Sequence, residues 1–196
     1  MSDTGRVEAF SDGVFAIAIT LLILEIKVPR EAEHLGSALL HQWPSFLAFL
    51  ASFFTIGVMW MNHHRLFTLI EAADDTLIGL NLLLLLGVTW VPFPTALLSE
   101  HLTTHNDRVA GLVYSGSFFA ISIVFQVLWQ YATRAAGIIA RDKGDDARRI
   151  TRQYIWGPLF YLIAILLALV SGTAVLIWSA LLAIYFALPP KIVAGH

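Results

Sequence analysis

Six stretches of this sequence are apolar over the length a helix needs to cross a lipid bilayer, and this constrains the fold more than any other feature. A hydrocarbon core of roughly 30 Å takes about 20 mostly apolar residues as helix, because backbone donors and acceptors cannot go unpaired in lipid. The runs extend from Ala9 to Val28, Trp43 to Met61, Leu77 to Leu98, Val109 to Tyr131, Tyr154 to Val170 and Ala174 to Leu188. Only Ser171, Gly172 and Thr173 separate the last two. As one helix, the 35 residues from Tyr154 to Leu188 would extend over about 50 Å, nearly twice the core thickness. A turn at Gly172 is therefore expected. The fold class that follows is an all-α integral membrane protein, a single domain over residues 1–196 with six transmembrane helices.

Composition agrees. Hydrophobic residues make up 58% of the chain and charged residues 13%, far from the balance of a soluble domain. A net charge of −2 gives no footprint for displacing counterions from phosphates, so nucleic acid is not an expected partner. Without cysteine, neither a disulfide framework nor a thiolate metal site is possible. Only Arg6 precedes the first apolar run and no small-residue cleavage pattern follows a basic segment, so no removable signal is expected. The first three and last three spans show no internal repeat, which weakens a transporter built on inverted repeats.

Orientation follows from the basic residues, which cytoplasmic loops collect. Six spans put both termini on one side with Arg6, Arg65, Arg134, Arg141, Lys143, Arg148, Arg149, Arg152 and Lys191, nine of the twelve basic residues. Lys27, Arg30 and Arg108 remain opposite. Both termini are expected in the cytoplasm, and the stretch from Arg134 to Arg152 reads as a solvated connection with helical ends. Trp43, Trp90, Trp129, Trp156 and Trp178 lie near span ends or in the last third of spans, where interface anchoring accounts for most of them.

The first span is unusual. Asp12 sits about one turn inside it, and an intramembrane carboxylate, costing about 2.5 to 3.5 kcal/mol by insertion scales, normally faces protein or a water-filled cavity. The second span returns to the same depth and ends Trp60-Met61-Asn62-His63-His64-Arg65, so Asn62, His63 or His64 could supply donors to it. The plain account is a lock between the two helices; the functional alternative is a proton relay or ion site. At about 100° per residue from Ile17, Phe10, Gly13, Leu21, Leu24 and Val28 fall within about 40°, Thr20 at about 60° and Asp12 at about 140°. With Ser11 and Asp12 turned into their own subunit, this stripe faces elsewhere. It can meet lipid, line a subunit interface, or surround an axis, where rings of Ile17, Leu21 and Leu24 would form a constriction that gates by dewetting, with Thr20 as the nearest polar group.

The run from Arg6 through Phe10-Ser11-Asp12-Gly13 to Leu22 resembles the first-helix signature RxxxFSDG of the TMEM175-like (DUF1211) channels, and Trp60-x-x-His63-His64 is also similar to that family. The length and six-span plan match over the whole chain. The resemblance implies a homotetramer whose central pore is lined by the first helix and conducts potassium and, less selectively, other monovalent cations, in a bacterial inner membrane. No cofactor is expected, potassium being the permeating ion. Carried onto this sequence, the constriction falls at Ile17, Leu21 and Leu24 with Thr20 as the polar layer. Arg6, Phe10, Ser11, Asp12, Trp60, Asn62 and His63 would form the packing network that holds the first helix. The rivals are a proton-coupled secondary transporter using Asp12 and His63, and a scaffold that only oligomerises.

Other signals are set aside. A carbonyl filter needs a TVGYG-like loop, and the nearest string, Thr55-Ile-Gly-Val-Met59, lies inside the second span. His101 and His105 have metal-ligand spacing but sit in a polar loop without the base of an HExxH motif; adjacent His63 and His64 diverge on a helix. No GxSxG elbow, Walker loop or paired carboxylates at one depth appear, so no enzyme is expected. Pro92, Pro94 and Pro158 are expected to kink or end helices.

Overall fold

The computed structural model describes residues 4–29, 34–135, 137–140 and 143–187. The first crossing is α1 (Thr4–Leu21), finished by a 3-10 turn at Leu22–Glu25. A short α2 (Leu35–His41) leads into α3 (Trp43–Phe67), followed by α4 (Asp75–Trp90), α5 (Pro92–His101), α6 (Asp107–Arg134), α7 (Gly144–Tyr154), α8 (Gly157–Ala168) and α9 (Gly172–Ala187). Among the described residues no strand forms, and Ile70 makes an isolated antiparallel bridge to Ile139. Thr4–Glu25, Trp43–Phe67, Asp75–His101, Asp107–Arg134 and Gly144–Ala168 are long and apolar enough to cross a membrane, and α9 is a shorter apolar helix. Its 16 residues span about 24 Å, which fits a core of roughly 30 Å with local thinning.

Several expected boundaries shift. The first helix begins at Thr4 and ends at Glu25, because Ile26 turns extended (φ −85°, ψ 104°); Val28 thus falls outside the helical stripe. The third crossing is two helices, α4 and α5, divided at Val91 just before Pro92, whose ring lacks an N–H and clashes with the preceding turn. Pro158 stands in the first turn of α8, where its missing donor costs nothing. The expected turn at Gly172 is present, and close approach explains the glycine. A Cβ there would lie 3.0 Å from the Asp107 carbonyl oxygen and 3.0 Å from Leu98 Cδ1. The Gly172 N–H donates instead to the Asp107 carboxylate at 3.1 Å.

Contacts between helix ends fix the up-and-down order. Glu8 meets His64, Asp74 meets Tyr131, and Arg65 donates to the Phe186 and Ala187 carbonyls. The start of α1, end of α3, start of α4, end of α6 and end of α9 therefore share one end of the bundle. At the other end Lys27 pairs with Glu100, and Asp107 with the start of α9. Arg6, Arg65, Arg134, Lys143, Arg148, Arg149 and Arg152 stand at the first end, Lys27 and Arg108 at the second; Arg30, Arg141, Lys191 and Leu188 lie outside the described residues.

α6 forms the centre. Its Tyr114, Phe118, Leu128 and Trp129 are fully buried. Small residues bring neighbours close: a Cβ on Gly111 would meet Ala168 at 3.3 Å, and one on Gly87 would meet Ile121 at 2.7 Å. Lipid tails are as apolar as leucine, so such contacts and buried hydrogen bonds, rather than a hydrophobic drive, hold membrane helices together. Ser52 of α3 joins Thr95 of α5 at 2.8 Å and Tyr114 of α6 at 3.1 Å. The connection after α6 is more ordered than a solvated loop: Glu71 N–H donates to the Ile138 carbonyl and Ala140 N–H to the Leu69 carbonyl, and Ile138, Ala147 and Ile150 are buried.

Candidate functional site on the first helix

The two sides of α1 have opposite surroundings. Ser11, Phe15 and Ala18 are buried where α1 packs on α3 and α4, and Leu22 where the closing turn packs on α3 and α5, while Phe10, Ile17, Leu21 and Leu24 are 57%, 59%, 41% and 69% exposed. Gly13 and Thr20 lie on the exposed side as well. Only 22% of the apolar window of this crossing is buried, against 29–33% in the four other long crossings. The closing 3-10 turn sharpens the stripe. At about 120° per residue, positions three apart eclipse, so Leu24 stands directly beyond Leu21. The Thr20 hydroxyl donates to the Ile17 carbonyl at 2.9 Å, leaving its oxygen lone pairs turned away from its own backbone.

On the buried side a polar chain anchors the helix. Ser11 Oγ donates to the Val7 carbonyl at 2.8 Å and accepts from Asn81 Nδ2 at 2.9 Å. Asn81 Oδ1 meets His63 Nε2 at 2.8 Å. With the Ser11 proton spent on Val7, the Asn81 amide must present its NH2 to Ser11 and its oxygen to His63, so His63 carries hydrogen on Nε2. Its ring lies between Phe15 (5.4 Å) and Phe67 (4.4 Å, stacked), and buried Nδ1 has no partner among the described residues.

Asp12 is satisfied differently from the donors named in the sequence. Its carboxylate accepts from Trp60 Nε1 at 2.8 Å, not from Asn62, His63 or His64. One turn earlier on α1, Glu8 pairs with His64 at 2.7 Å, and Trp60 stacks on His64 at 6.3 Å. Asn62 turns to the far side of α3, where its Oδ1 accepts from Arg65 at 3.0 Å and from the Tyr154 hydroxyl at 2.7 Å. Arg6 is exposed and forms no ion pair among the described residues; Phe10 is exposed on the stripe. The structure thus joins Ser11 with His63 through Asn81, and Asp12 with Trp60, in separate contacts. No direct bond joins Asp12 to His63.

Asn81, Glu8 and Tyr154 escaped the sequence reading. Asn81 had a signal, a lone amide in the apolar run Leu77 to Val88, since polar side chains inside a membrane span need a partner. Glu8 and Tyr154 had none, because only the helix rotations bring them to His64 and Asn62.

Among the described residues no group of three or more histidines and carboxylates could hold a metal ion. Residues 6–92, which contain all of these α1, α3 and α4 contacts, match the family model described as endosomal/lysosomal potassium channel TMEM175. The chain is 53% identical over 193 residues to a potassium channel of Chamaesiphon minutus, covering 95% of both chains. It is 46% identical over 190 residues to a potassium channel of Streptomyces collinus, covering 95% of this chain and 92% of that one. The fold superposes on the crystal structure of a lysosomal potassium-selective channel TMEM175 homolog from Chamaesiphon minutus with a TM-score of 0.88, 51% identity and coverage of 97% and 100%. With the family model matching the segment that carries α1, α3 and α4, and relatives about half identical over nearly the whole length, this chain belongs to the TMEM175 family of ion channels.

Proposed function

We propose that this protein is a potassium-selective channel in which four copies set their α1 helices around a common axis. The exposed stripe of α1 carries the reading. It is uncovered by its own subunit along Phe10, Ile17, Leu21 and Leu24, while the opposite side is pinned by Ser11, Asn81 and His63. The relatives that match nearly the whole chain are potassium channels, which supports placing the stripe on a pore rather than against lipid.

In this arrangement Ile17, Leu21 and Leu24 form stacked apolar rings. Such a constriction empties of water when narrow and conducts when it widens or wets. Thr20 supplies the polar layer between them: with its proton engaged by Ile17, the hydroxyl oxygen offers lone pairs to a passing cation. Seven described basic residues at the end holding the start of α1, against two at the other, support an orientation with that end in the cytoplasm, and bacterial relatives that match nearly the whole chain favour a bacterial inner membrane.

Potassium flux into liposomes carrying the purified protein tests the proposal, with wild type beside Ile17→Asn. Passive potassium flux is expected from both, higher in the variant, because a polar ring wets an apolar constriction. Absence of flux from either protein, at the four-chain mass and with native melting behaviour, overturns the channel. Flux that requires a proton gradient and vanishes in Asp12→Asn points to the coupled transporter instead.

A further inference from the structure

We infer that the exposed face of α7 is a binding surface for the headgroups of anionic phospholipids at the basic end of the bundle. The inference needs only that the chain is embedded in a membrane and does not depend on conduction. α7 is amphipathic in a definite direction: Ala147, Ile150 and Tyr154 are buried, and Trp129 Nε1 donates to Thr151 Oγ1 at 2.9 Å, so this side is docked onto α6. Arg148, Arg149 and Arg152 are exposed.

The backbone stays right-handed helical through the junction with α8, at Ile155 (φ −57°, ψ −27°) and Trp156 (φ −86°, ψ −8°). Helical register therefore carries across it. Measured from Arg152 at about 100° per residue, Arg148 lies about 40° to one side, Arg149 about 60° to the other, Ile155 and Trp156 within about 60° and Leu159 within about 20°. The buried Ala147, Ile150 and Tyr154 lie about 140° or more away by the same measure. Ile155, Trp156 and Leu159 are 54%, 53% and 45% exposed. The arginine face thus runs straight into the apolar face that α8 turns outward.

Depth fits as well. Trp156 marks the interface where tryptophans concentrate; Arg152 and Arg149 stand about 6 Å and 10 Å beyond it at 1.5 Å per residue. The headgroup layer occupies roughly 5–8 Å on each side of the hydrocarbon core, so Arg152 stands within it and Arg149 just outside it, where its long side chain bends back to phosphate depth. Arg148 is offset by Asp145, 3.7 Å away, whereas Arg149 and Arg152 have no ion pair among the described residues. A guanidinium fork pairs with phosphate oxygens bidentately, and juxtamembrane cations of this kind favour anionic lipid.

The full-length protein in detergent is titrated separately with short-chain phosphatidylglycerol, short-chain phosphatidylcholine and inorganic phosphate, and bound lipid is counted by native mass spectrometry. Phosphatidylglycerol is expected to bind more tightly than phosphatidylcholine. The double variant Arg149→Gln/Arg152→Gln should lose about fivefold of that preference per arginine. Arg149→Lys/Arg152→Lys should retain most of it, and Arg108→Gln at the opposite end should retain all of it. An unchanged preference in the glutamine variant overturns the inference. So does displacement of the lipid by inorganic phosphate at equal concentration, which would mark a free-anion site, and so does dissociation of the oligomer, which would make this face a contact between copies.

Discussion

Leu21 and Leu22 are adjacent, identical and equally hydrophobic, yet Leu22 is fully buried and Leu21 is 41% exposed. The two faces of α1 differ along its length in the same way, and apolarity does not decide between them. In water the more apolar face would turn inward; in lipid both faces are at home, and the choice falls to hydrogen bonds and close packing. Ser11 makes that choice here. Its contact with Asn81, continued to His63, sets the rotation of α1, and every residue beyond it follows at the helical period. The face that remains is available for a second role.

Substitutions sharpen the comparison when made in pairs. Leu22→Ala leaves a cavity against α3 and should cost about 2–3 kcal/mol, below the upper range for soluble cores because lipid weakens the transfer contribution. Leu21→Ala should leave the melting temperature within a few degrees and instead raise potassium flux by widening the constriction. Equal losses of stability would break the distinction between the faces. Asn81→Leu removes the link between Ser11 and His63 and strands the His63 N–H in the core, for about 1–2 kcal/mol. Thermal melting in detergent reads this effect, and an unchanged melting temperature would show that the rotation of α1 is set elsewhere. Trp60→Phe removes the donor to Asp12 at a more exposed site, and about 0.5–1 kcal/mol is expected with flux retained.

The smallest effect lies away from the stripe, at the start of α4. Asp74 accepts from Tyr131 at 2.6 Å and caps α4 through the Leu77 N–H at 2.8 Å. Both bonds, the Tyr131 one foremost, hold its carboxyl below the ordinary value of 3.8. A lowered folded-state value means that the stabilisation is complete above that ordinary value and is lost as pH falls through the folded one. Melting curves of wild type and Asp74→Asn should therefore differ slightly near neutrality and converge below pH 3.8. A gap that persists in acid would show that the carboxylate charge is not its source.

The crossings, their alternation and the apolar stripe were legible in the chain because each depends on local quantities. Bilayer thickness sets run length, backbone pairing sets the helix, and the helical period sets which residues share a face. The proline breaks and the turn at Gly172 were legible for the same reason. The partner of Asp12 was not. Trp60, Asn62, His63 and His64 are all near the right depth, but they point in different directions from α3, and only the packed rotation of that helix gives Trp60 to Asp12 and His63 to α4. Asn81 enters the contact from a third helix, so its role depends on three rotations at once. The sequence by itself determined that this chain spans a membrane and which residues of α1 lie together. Tertiary structure alone decided which side of α1 is anchored and by which polar groups, because lipid offers no hydrophobic gradient to choose a face and hydrogen bonds form only after the helices have met.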